Sequence, residues 1–433
     1  MLMVDAAPDF VRGVVTPGKR ARDSAMVVSG SLPMSSAEID STMASELRLT
    51  DALTLAASHH PSVKAKQAEL QAAQGDLATA KWSRYPTVST EVTAAGGPPQ
   101  GAFLLQNPMC ARGKIDAQNR LAQAYVALAD AGLQETRNSL MQQTGTQFYE
   151  VLRWRQRLEV AQKNENEHRK LLELIQRRVS AEISPLADQV LANARLQQAV
   201  SERIQFSRSL QTAELALQQL VGEHGSTPKP PKSLAWQTQG ESVAIEASMA
   251  SSAELRRLRV QQEVSQAQID MAEATVFPTL ALAHRHALGS TDSSNTPSRT
   301  YLSLQFSPGP GLSARSAAAA ARSRLENSQQ NTMVYERQMA QQVRTSLADL
   351  DALAQQIEPT QLLVSATEDV VASYLRQYQI GKKNWLDVLN AVRESTQAIY
   401  GALDVASTTQ SLQLRLMLLT GQLSTQNLSA VHE

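Results

Sequence analysis

Apolar residues recur every three or four positions along two matching stretches of the chain, 185–220 and 385–420, if one polar position in each stretch, such as Ser207, is counted. This spacing places one apolar stripe on an α-helix, with Gln, Ser and Thr over the rest of its surface. The stripes are Leu196, Val200, Ile204, Leu210, Ala213, Leu217 and Leu220 in the first stretch, and Ile399, Leu403, Ala406, Leu412, Leu416 and Leu419 in the second. Stripes this narrow predict ordinary packing against neighbouring helices, with water on the other faces.

The same periodicity predicts four further helices, so the fold is expected to be mainly α with a small β part. The additional helices cover about 51–84, 114–180, 253–276 and 313–380. The first of them stops before Pro86, because proline cannot continue a helix. The stretch 114–180 would form a rod roughly 100 Å long at 1.5 Å per residue. A tall layer of parallel rods therefore describes the chain better than a compact core.

Short alternating segments interrupt the helices at 87–107, 277–287 and 300–307, which predicts two hairpins. In the first, Val88, Thr90 and Val92 alternate with polar residues. One apolar face and one polar face suit a half-buried hairpin, and equally a membrane barrel with a wet interior. Four strands cannot close a barrel, because the smallest have about eight strands. If the strands span a membrane, several chains must share one barrel.

The two halves of the chain are copies of one unit of helix, β-hairpin, long helix and helix. Tyr85-Pro86-Thr87 corresponds to Phe277-Pro278-Thr279 at an offset of 192, and Asp188 corresponds to Asp387 at an offset of 199. The larger offset places extra residues of the second copy within 285–300. We predict a disordered N-terminal extension (1–46), a first repeat (47–222), a Pro-rich linker (223–243), a second repeat (244–423) and a C-terminal tail (424–433).

Charge and composition narrow the range of functions. The chain has 41 Lys and Arg against 41 Asp and Glu, without a dense basic block, so no nucleic-acid partner is expected. Its single cysteine, Cys110, excludes an internal disulfide and a multi-thiolate metal site. The apolar stretch after Arg22 is too short for an ordinary secretory signal. An intracellular protein and an exported one with an atypical signal therefore both remain open.

The sequence offers no group of residues with the spacing of a catalytic or cofactor site. It contains no phosphate-binding loop and none of the common hydrolase or zinc-protease motifs. His284 and His286 share one face of a predicted strand, but no third ligand accompanies them, so no metal site is expected. We therefore predict a protein that is not an enzyme and uses no cofactor.

Several motifs at matching offsets carry a likeness to a known family. They are the opening Leu47-Arg48-Leu49-Thr50-Asp51-Ala52-Leu53 with His60-Pro61, the strand starts Tyr85-Pro86 and Phe277-Pro278, and the run from Tyr378 to Ala391. Over about residues 47–423 the chain resembles the TolC-like outer-membrane factors. The resemblance implies a homotrimer with a 12-stranded β-barrel, four strands from each protomer, on a long α-helical barrel. It also implies location in the bacterial outer membrane, with the helical tunnel in the periplasm.

The resemblance assigns roles to residues near the turn that precedes the second helix of each pair. Asp188, Tyr378 and Lys383 would form a periplasmic entrance lock, with an Asp188–Lys383 ion pair beside the aromatic ring. Lys383 stands where Arg is typical, so it would supply a point charge without a bidentate fork. Taken without the family, Asp188 is a favourable charge at a helix N-terminus, and Lys383 is a solvated turn residue.

Further residues of the same region would line the pore. By the resemblance, Asp387 and Asn390 would point into the lumen and form rings in a trimer, and a carboxylate ring sets cation selectivity. Asn390 stands where the best-known members carry a second acid, so one acidic ring is expected. Gly381 is the turn glycine of the second copy, whereas Glu182 stands at the corresponding position of the first.

The resemblance implies the exit duct of a tripartite export system that conducts substrate passively to the exterior. The partners would be a periplasmic membrane-fusion protein, an inner-membrane ABC or RND transporter, and outer-membrane lipid. The run Trp385–Asn390 is closer to ducts of type I secretion, which export proteins such as adhesins. Drug or solute efflux with an RND-type pump is an alternative, and a soluble coiled-coil scaffold is an alternative from a different class.

Overall fold

A computed structural model of the protein describes residues 46–93, 100–110, 113–222, 227–231, 236, 240–288, 298–306, 310 and 313–423. Within them the chain forms helices and one four-stranded sheet, which confirms the mainly α-helical fold with a small β part. The helices are α1 Leu49–His59, α2 Pro61–Trp82, α3 Lys114–Ser180, α4 Leu186–Val221, α5 Glu241–Ser251, α6 Ala253–Ala274, α7 Ser313–Gln379 and α8 Trp385–Leu419. The strands are β1 Thr87–Thr93, β2 Gln100–Cys110, β3 Thr279–Leu288 and β4 Ser298–Gln305.

The predicted extension 1–46, apart from its last residue, and the predicted tail 424–433 lie outside the described residues. Across the described part of the chain, no helix is both long and apolar enough to cross a bilayer.

The element bounds repeat along the chain. Pro61 of α2 and Thr87 of β1 correspond to Ala253 of α6 and Thr279 of β3, an offset of 192. The long helices α3 and α7 begin 199 residues apart, at Lys114 and Ser313, and each contains 67 residues. The offset therefore changes within the hairpins. The corresponding helices otherwise have equal or nearly equal lengths in the two copies, α1 with α5, α2 with α6, α3 with α7 and α4 with α8.

The first helical region is broken, although the sequence pattern predicts one continuous helix over 51–84. His60 separates α1 from α2 and is extended, with ψ 138°. The ring of Pro61 causes the break, because proline disfavours helical backbone in the preceding residue. His60 Nδ1 then accepts a hydrogen bond from the N–H of Ser62 at 3.2 Å. Ser252, the counterpart of His60, separates α5 from α6 and caps α6 through its Oγ.

Part of the predicted linker 223–243 contacts the start of the first repeat. The N–H of Leu47 donates to the carbonyl of Thr227, and the N–H of Lys229 donates to the carbonyl of Leu47, both at 3.0 Å. The last residues of that predicted linker already belong to α5, which begins at Glu241. The segment thus combines irregular chain with the first turn of a helix.

The sheet is antiparallel throughout, in the order β1-β2-β3-β4. Its register puts Val88 opposite Leu105 and Leu282 opposite Leu302, so large apolar side chains share one face. This apolar face is exposed in the protomer, where Val92 and Leu304 retain 73% and 68% of their accessible surface. On the other face small residues such as Ala102 and Ala283 are buried. Among the described strands, β1 and β4 each pair on one side only.

A hydrophobic core forms where α1, α3, α4 and α8 meet. Leu53, Phe148, Val151 and Leu414 are buried at its centre. Gly145 of α3 allows close approach there, because a Cβ atom at this position would lie 2.5 Å from the Leu414 Cδ2 atom. This core holds the middle of α3, and the end of α3 packs in a separate cluster.

Candidate functional site

The turns between α3 and α4 and between α7 and α8 share one backbone design. In the first, the N–H of Ile183 donates to the carbonyl of Arg178 at 2.9 Å, and in the second the N–H of Lys382 donates to the carbonyl of Gln377 at 2.9 Å. This bond closes a helix end around one left-handed residue. That residue is Glu182 in the first turn, with φ 59°, and Gly381 in the second, with φ 75°.

A hydrophobic cluster fixes the two turns against each other. Trp385 and Tyr378 are 2% and 5% exposed, and their ring centroids lie 5.1 Å apart. Ile175 of α3 and Val388 of α8 are fully buried in the same cluster. Because the cluster draws on α3, α4, α7 and α8, the apolar first turn of α8 closes the ends of four helices.

Polar contacts link Tyr378 to the first turn. Its hydroxyl lies 3.4 Å from Ser184 Oγ, and the Arg178 guanidinium lies 4.8 Å from the centre of its ring. Arg178 Nε also donates to Ser184 Oγ at 3.4 Å. Sequence reasoning selected Tyr378 but missed Arg178 and Ser184. The internal repeat could have identified Ser184, because Ser184 occupies the position that corresponds to Lys383 in the second copy.

The charged residues predicted for the entrance are arranged differently from the predicted pairing. Lys383 Nζ lies 3.7 Å from Asp387 Oδ2, one helical turn away, and 4.2 Å from the ring centre of Tyr374. Asp188 is half-buried at the start of α4, and the described residues contain no ion pair between it and Lys383. Asn390 is half-buried on α8. The single protomer thus joins Lys383 to Asp387, and the Asp188–Lys383 lock stays a prediction.

A comparison with family models finds a likeness in the second half of the chain. Residues 244–422 match the model described as outer membrane efflux protein. We refer to these residues as the efflux protein domain, after the model that they match. None of the curated proteins matches the chain in sequence.

Solved structures share the fold of nearly the whole chain. The outer membrane protein VceC of Vibrio cholerae is 20% identical and covers 86% of this chain and 96% of its own, with a TM-score of 0.74. The Campylobacter jejuni CmeC outer membrane channel is 11% identical and covers 86% and 85%, with a TM-score of 0.75. A Pseudomonas aeruginosa membrane protein is 16% identical and covers 88% and 91%, with a TM-score of 0.75. The chain has the fold of these proteins.

The two left-handed turn residues predict opposite effects of exchange. Left-handed backbone costs a residue with a Cβ atom about 1–2 kcal/mol, and glycine avoids this cost. Glu182→Gly is therefore expected to stabilise the first turn by up to about 1 kcal/mol, and Gly381→Ala, in the efflux protein domain, to destabilise the second by about 1 kcal/mol. Hydrogen exchange of the turn amides measures both. Equal protection in the wild type and both variants would contradict this account of the turns.

A second group of polar residues surrounds a cavity of about 80 Å³ between α3, α4 and α8. On α3 it lies on the N-terminal side of Arg178, and of the three helices only α8 belongs to the efflux protein domain. His168 lines it and is 6% exposed, and its Nδ1 has no hydrogen-bond partner among the described residues. Burial lowers the pKa of His168 below its ordinary value, and Arg195 lowers it further, whereas Glu167 acts in the opposite direction. The other ionisable residues that line the cavity are Arg195, Glu202, Arg393 and Tyr400. His168 is therefore held in its neutral form.

This cluster predicts a pH dependence of stability. The unfolded chain takes up a proton on His168 more readily than the folded chain. The contribution of His168 to the free energy of unfolding is therefore complete above about pH 6.5 and declines as the pH falls below that value. We expect the thermal midpoint to drop further between pH 7.5 and pH 5.5 in the wild type than in His168→Gln. Glutamine keeps a polar side chain without titrating. Identical pH profiles would show that His168 does not contribute.

Proposed function

We propose that the protein is the outer-membrane exit duct of a tripartite export system. The duct conducts substrate passively from an inner-membrane ABC or RND transporter, through a periplasmic membrane-fusion protein, to the exterior. The efflux protein domain and the fold shared with outer-membrane channels support this function. The channel itself needs no enzymatic activity and no cofactor, because energy enters at the transporter.

The sheet is the observation that carries the proposal. Its four strands expose large apolar side chains on one face, and β1 and β4 leave their outer backbone groups unpaired among the described strands. Exposed edges of this kind invite pairing with another chain. Joining β4 of one protomer to β1 of the next, three times, gives a closed barrel of twelve strands whose apolar face meets lipid.

Exposed apolar side chains in the C-terminal half of α7 are a second, independent reason to propose a trimer. Between Leu347 and Gln377 no residue of α7 is buried in the protomer. Leu362 and Leu363 are 62% and 51% exposed, and Val370 lies two turns from Leu363 on the same face. An apolar helix face of this length calls for a partner. Neighbouring copies would cover it in a helical tunnel, which at 67 residues per long helix is roughly 100 Å tall.

The duplication suggests a domain organisation for the chain. We propose that 47–222 and 244–423 are the two repeats and that 223–243 joins them. Each repeat supplies one hairpin to the barrel and one long helix to the tunnel wall. The paired turns then lie at the periplasmic entrance, at the ends of α3 and α7 opposite the sheet.

We propose that Lys383 exchanges partners when the entrance opens. In the closed trimer it pairs with Asp188, with Tyr378 as the adjacent aromatic, and in the open trimer it pairs with Asp387, as it does in the single protomer. Lys383→Ala is expected to raise single-channel conductance in planar bilayers, because the closed state loses its ion pair. Lys382→Ala is the matched control, since Lys382 is an exposed neighbour of the same charge. Equal conductance of the two variants and the wild type would reject the lock.

Cell fractionation tests the proposed function as a whole. The protein, expressed with its native start, should sediment with outer membranes and migrate as a trimer that heating converts to monomer. A soluble coiled-coil scaffold would instead remain monomeric in the cytosol. That result would contradict the duct and leave the scaffold as the alternative.

A further inference from the structure

Two arginines face each other across the hairpin of the efflux protein domain. Arg285 of β3 and Arg299 of β4 are direct partners in the antiparallel register. Like charges in this position destabilise a sheet. Neither arginine has an acidic partner among the described residues, and the guanidinium of Arg299 lies 5.2 Å from the ring centre of Tyr301. Two uncompensated charges at one level of the sheet require a polar, hydrated setting.

The register determines the face on which the arginines lie. Successive side chains of a strand point to opposite faces of the sheet. Arg299 and Tyr301 therefore lie on one face, and the exposed apolar Leu302 and Leu304 lie on the other. In a membrane barrel the apolar face meets lipid and the other face lines the lumen, where charged residues tune selectivity. The arginines therefore line the lumen. This step rests on the proposed function.

Acidic residues of the described strands do not cancel this charge. Glu91 of β1 is the single acid of the described strands, and β2 separates it from Arg285. In a closed barrel β1 would adjoin the neighbouring copy's β4, so Glu91 can compensate one arginine per protomer and leaves the other. At the opposite end of the duct, Asp387 and Lys383 lie 3.7 Å apart in the protomer and carry opposite charges, so together they add no net charge. The net charge of these lumen residues is positive.

We propose that the lumen of this duct prefers anions and favours negatively charged cargo. Three-fold symmetry turns Arg285 and Arg299 into a ring of guanidinium groups near the outer part of the barrel, about 20 Å along β3 from Thr279. Rings of Arg or Lys favour anions in pores, as carboxylate rings favour cations. The barrel thereby sets a charge preference opposite to that of an acidic entrance ring.

Reversal potentials in planar lipid bilayers test this preference. The full-length trimer is measured at pH 8 across a tenfold KCl gradient. The wild type should pass chloride more readily than potassium. The double variant Arg285→Gln/Arg299→Gln should lower the chloride-to-potassium permeability ratio at least threefold, whereas Arg285→Lys/Arg299→Lys should preserve it.

The same strand supplies a matched control. His284→Gln/His286→Gln changes neighbouring residues on the apolar face, which bond to Thr300 and Ser298 of β4, and should leave the ratio unchanged. A wild-type channel that prefers potassium, or a glutamine variant with the wild-type ratio, overturns the inference while the duct stands. A wild-type protein that inserts without conducting overturns the proposed function, and the inference with it.

Discussion

Replacing Leu362 and Leu363 of α7 by glutamate is expected to dissociate the trimer. Both side chains are more than half exposed in the protomer, on a stretch of helix that has no buried residue. Burying a leucine contributes about 1.5–3 kcal/mol, and the proposed trimer would bury three copies of each. An unpaired carboxylate at a buried position adds a further cost, because a charge leaves water without a partner. The two glutamates should therefore shift the equilibrium from trimer to monomer.

Size-exclusion chromatography with light scattering measures this loss directly. The protomer core lies elsewhere, around Leu53 and Phe148, so circular dichroism should show unchanged helix content. The double variant Leu362→Met/Leu363→Met keeps the volume and apolar character and should stay trimeric. If the glutamate variant remained trimeric, α7 would have its apolar face outside the subunit interface.

Trp385→Ala is expected to unlock the entrance turns. The indole is 2% exposed and contacts Tyr378 within the cluster that joins the four helix ends. Truncating a buried tryptophan to alanine costs about 3–5 kcal/mol, because apolar contacts are lost and a cavity remains. Since the cluster is separate from the central core, this loss should concentrate at the turns.

Hydrogen exchange and bilayer conductance report the effect at the turns. Amides of Ile183 and Lys382, which close the two helix ends, should lose protection, and the conductance of the resting channel should rise. Trp385→Phe is the matched control. Its cost should stay below about 1.5 kcal/mol, because phenylalanine keeps most of the apolar volume. It also removes the indole N–H, which is buried without a hydrogen-bond partner among the described residues. Unchanged protection in Trp385→Ala would separate the cluster from the closure of the turns.

The long elements follow from the sequence because their patterns are continuous. The helix predicted over 114–180 is α3, and the one predicted over 313–380 ends one residue earlier, at Gln379. Local chemistry also identified the turns, since Gly381 has the left-handed backbone that glycine tolerates. The internal repeat then extended each assignment from one copy to the other.

The features that the sequence pattern did not reveal have both local and long-range causes. The break at His60 depends on one proline within an unbroken apolar pattern, so periodicity did not reveal it. Ser184 and Arg178 reach Tyr378 across the two copies, a contact that the sequence of either turn does not contain. The pair of Lys383 with Asp387, four residues apart, was not predicted, because the family resemblance suggested Asp188 as the partner of Lys383.

Electron cryo-microscopy of the protein purified from outer membranes into lipid nanodiscs tests the central claim most directly. The account predicts a three-fold particle of three 47.1 kDa chains, with twelve strands closed into one barrel by pairing of β4 with the neighbouring β1, and with α7 covered at Leu362. A particle without three-fold symmetry, or a sheet with β1 and β4 still unpaired, would contradict it.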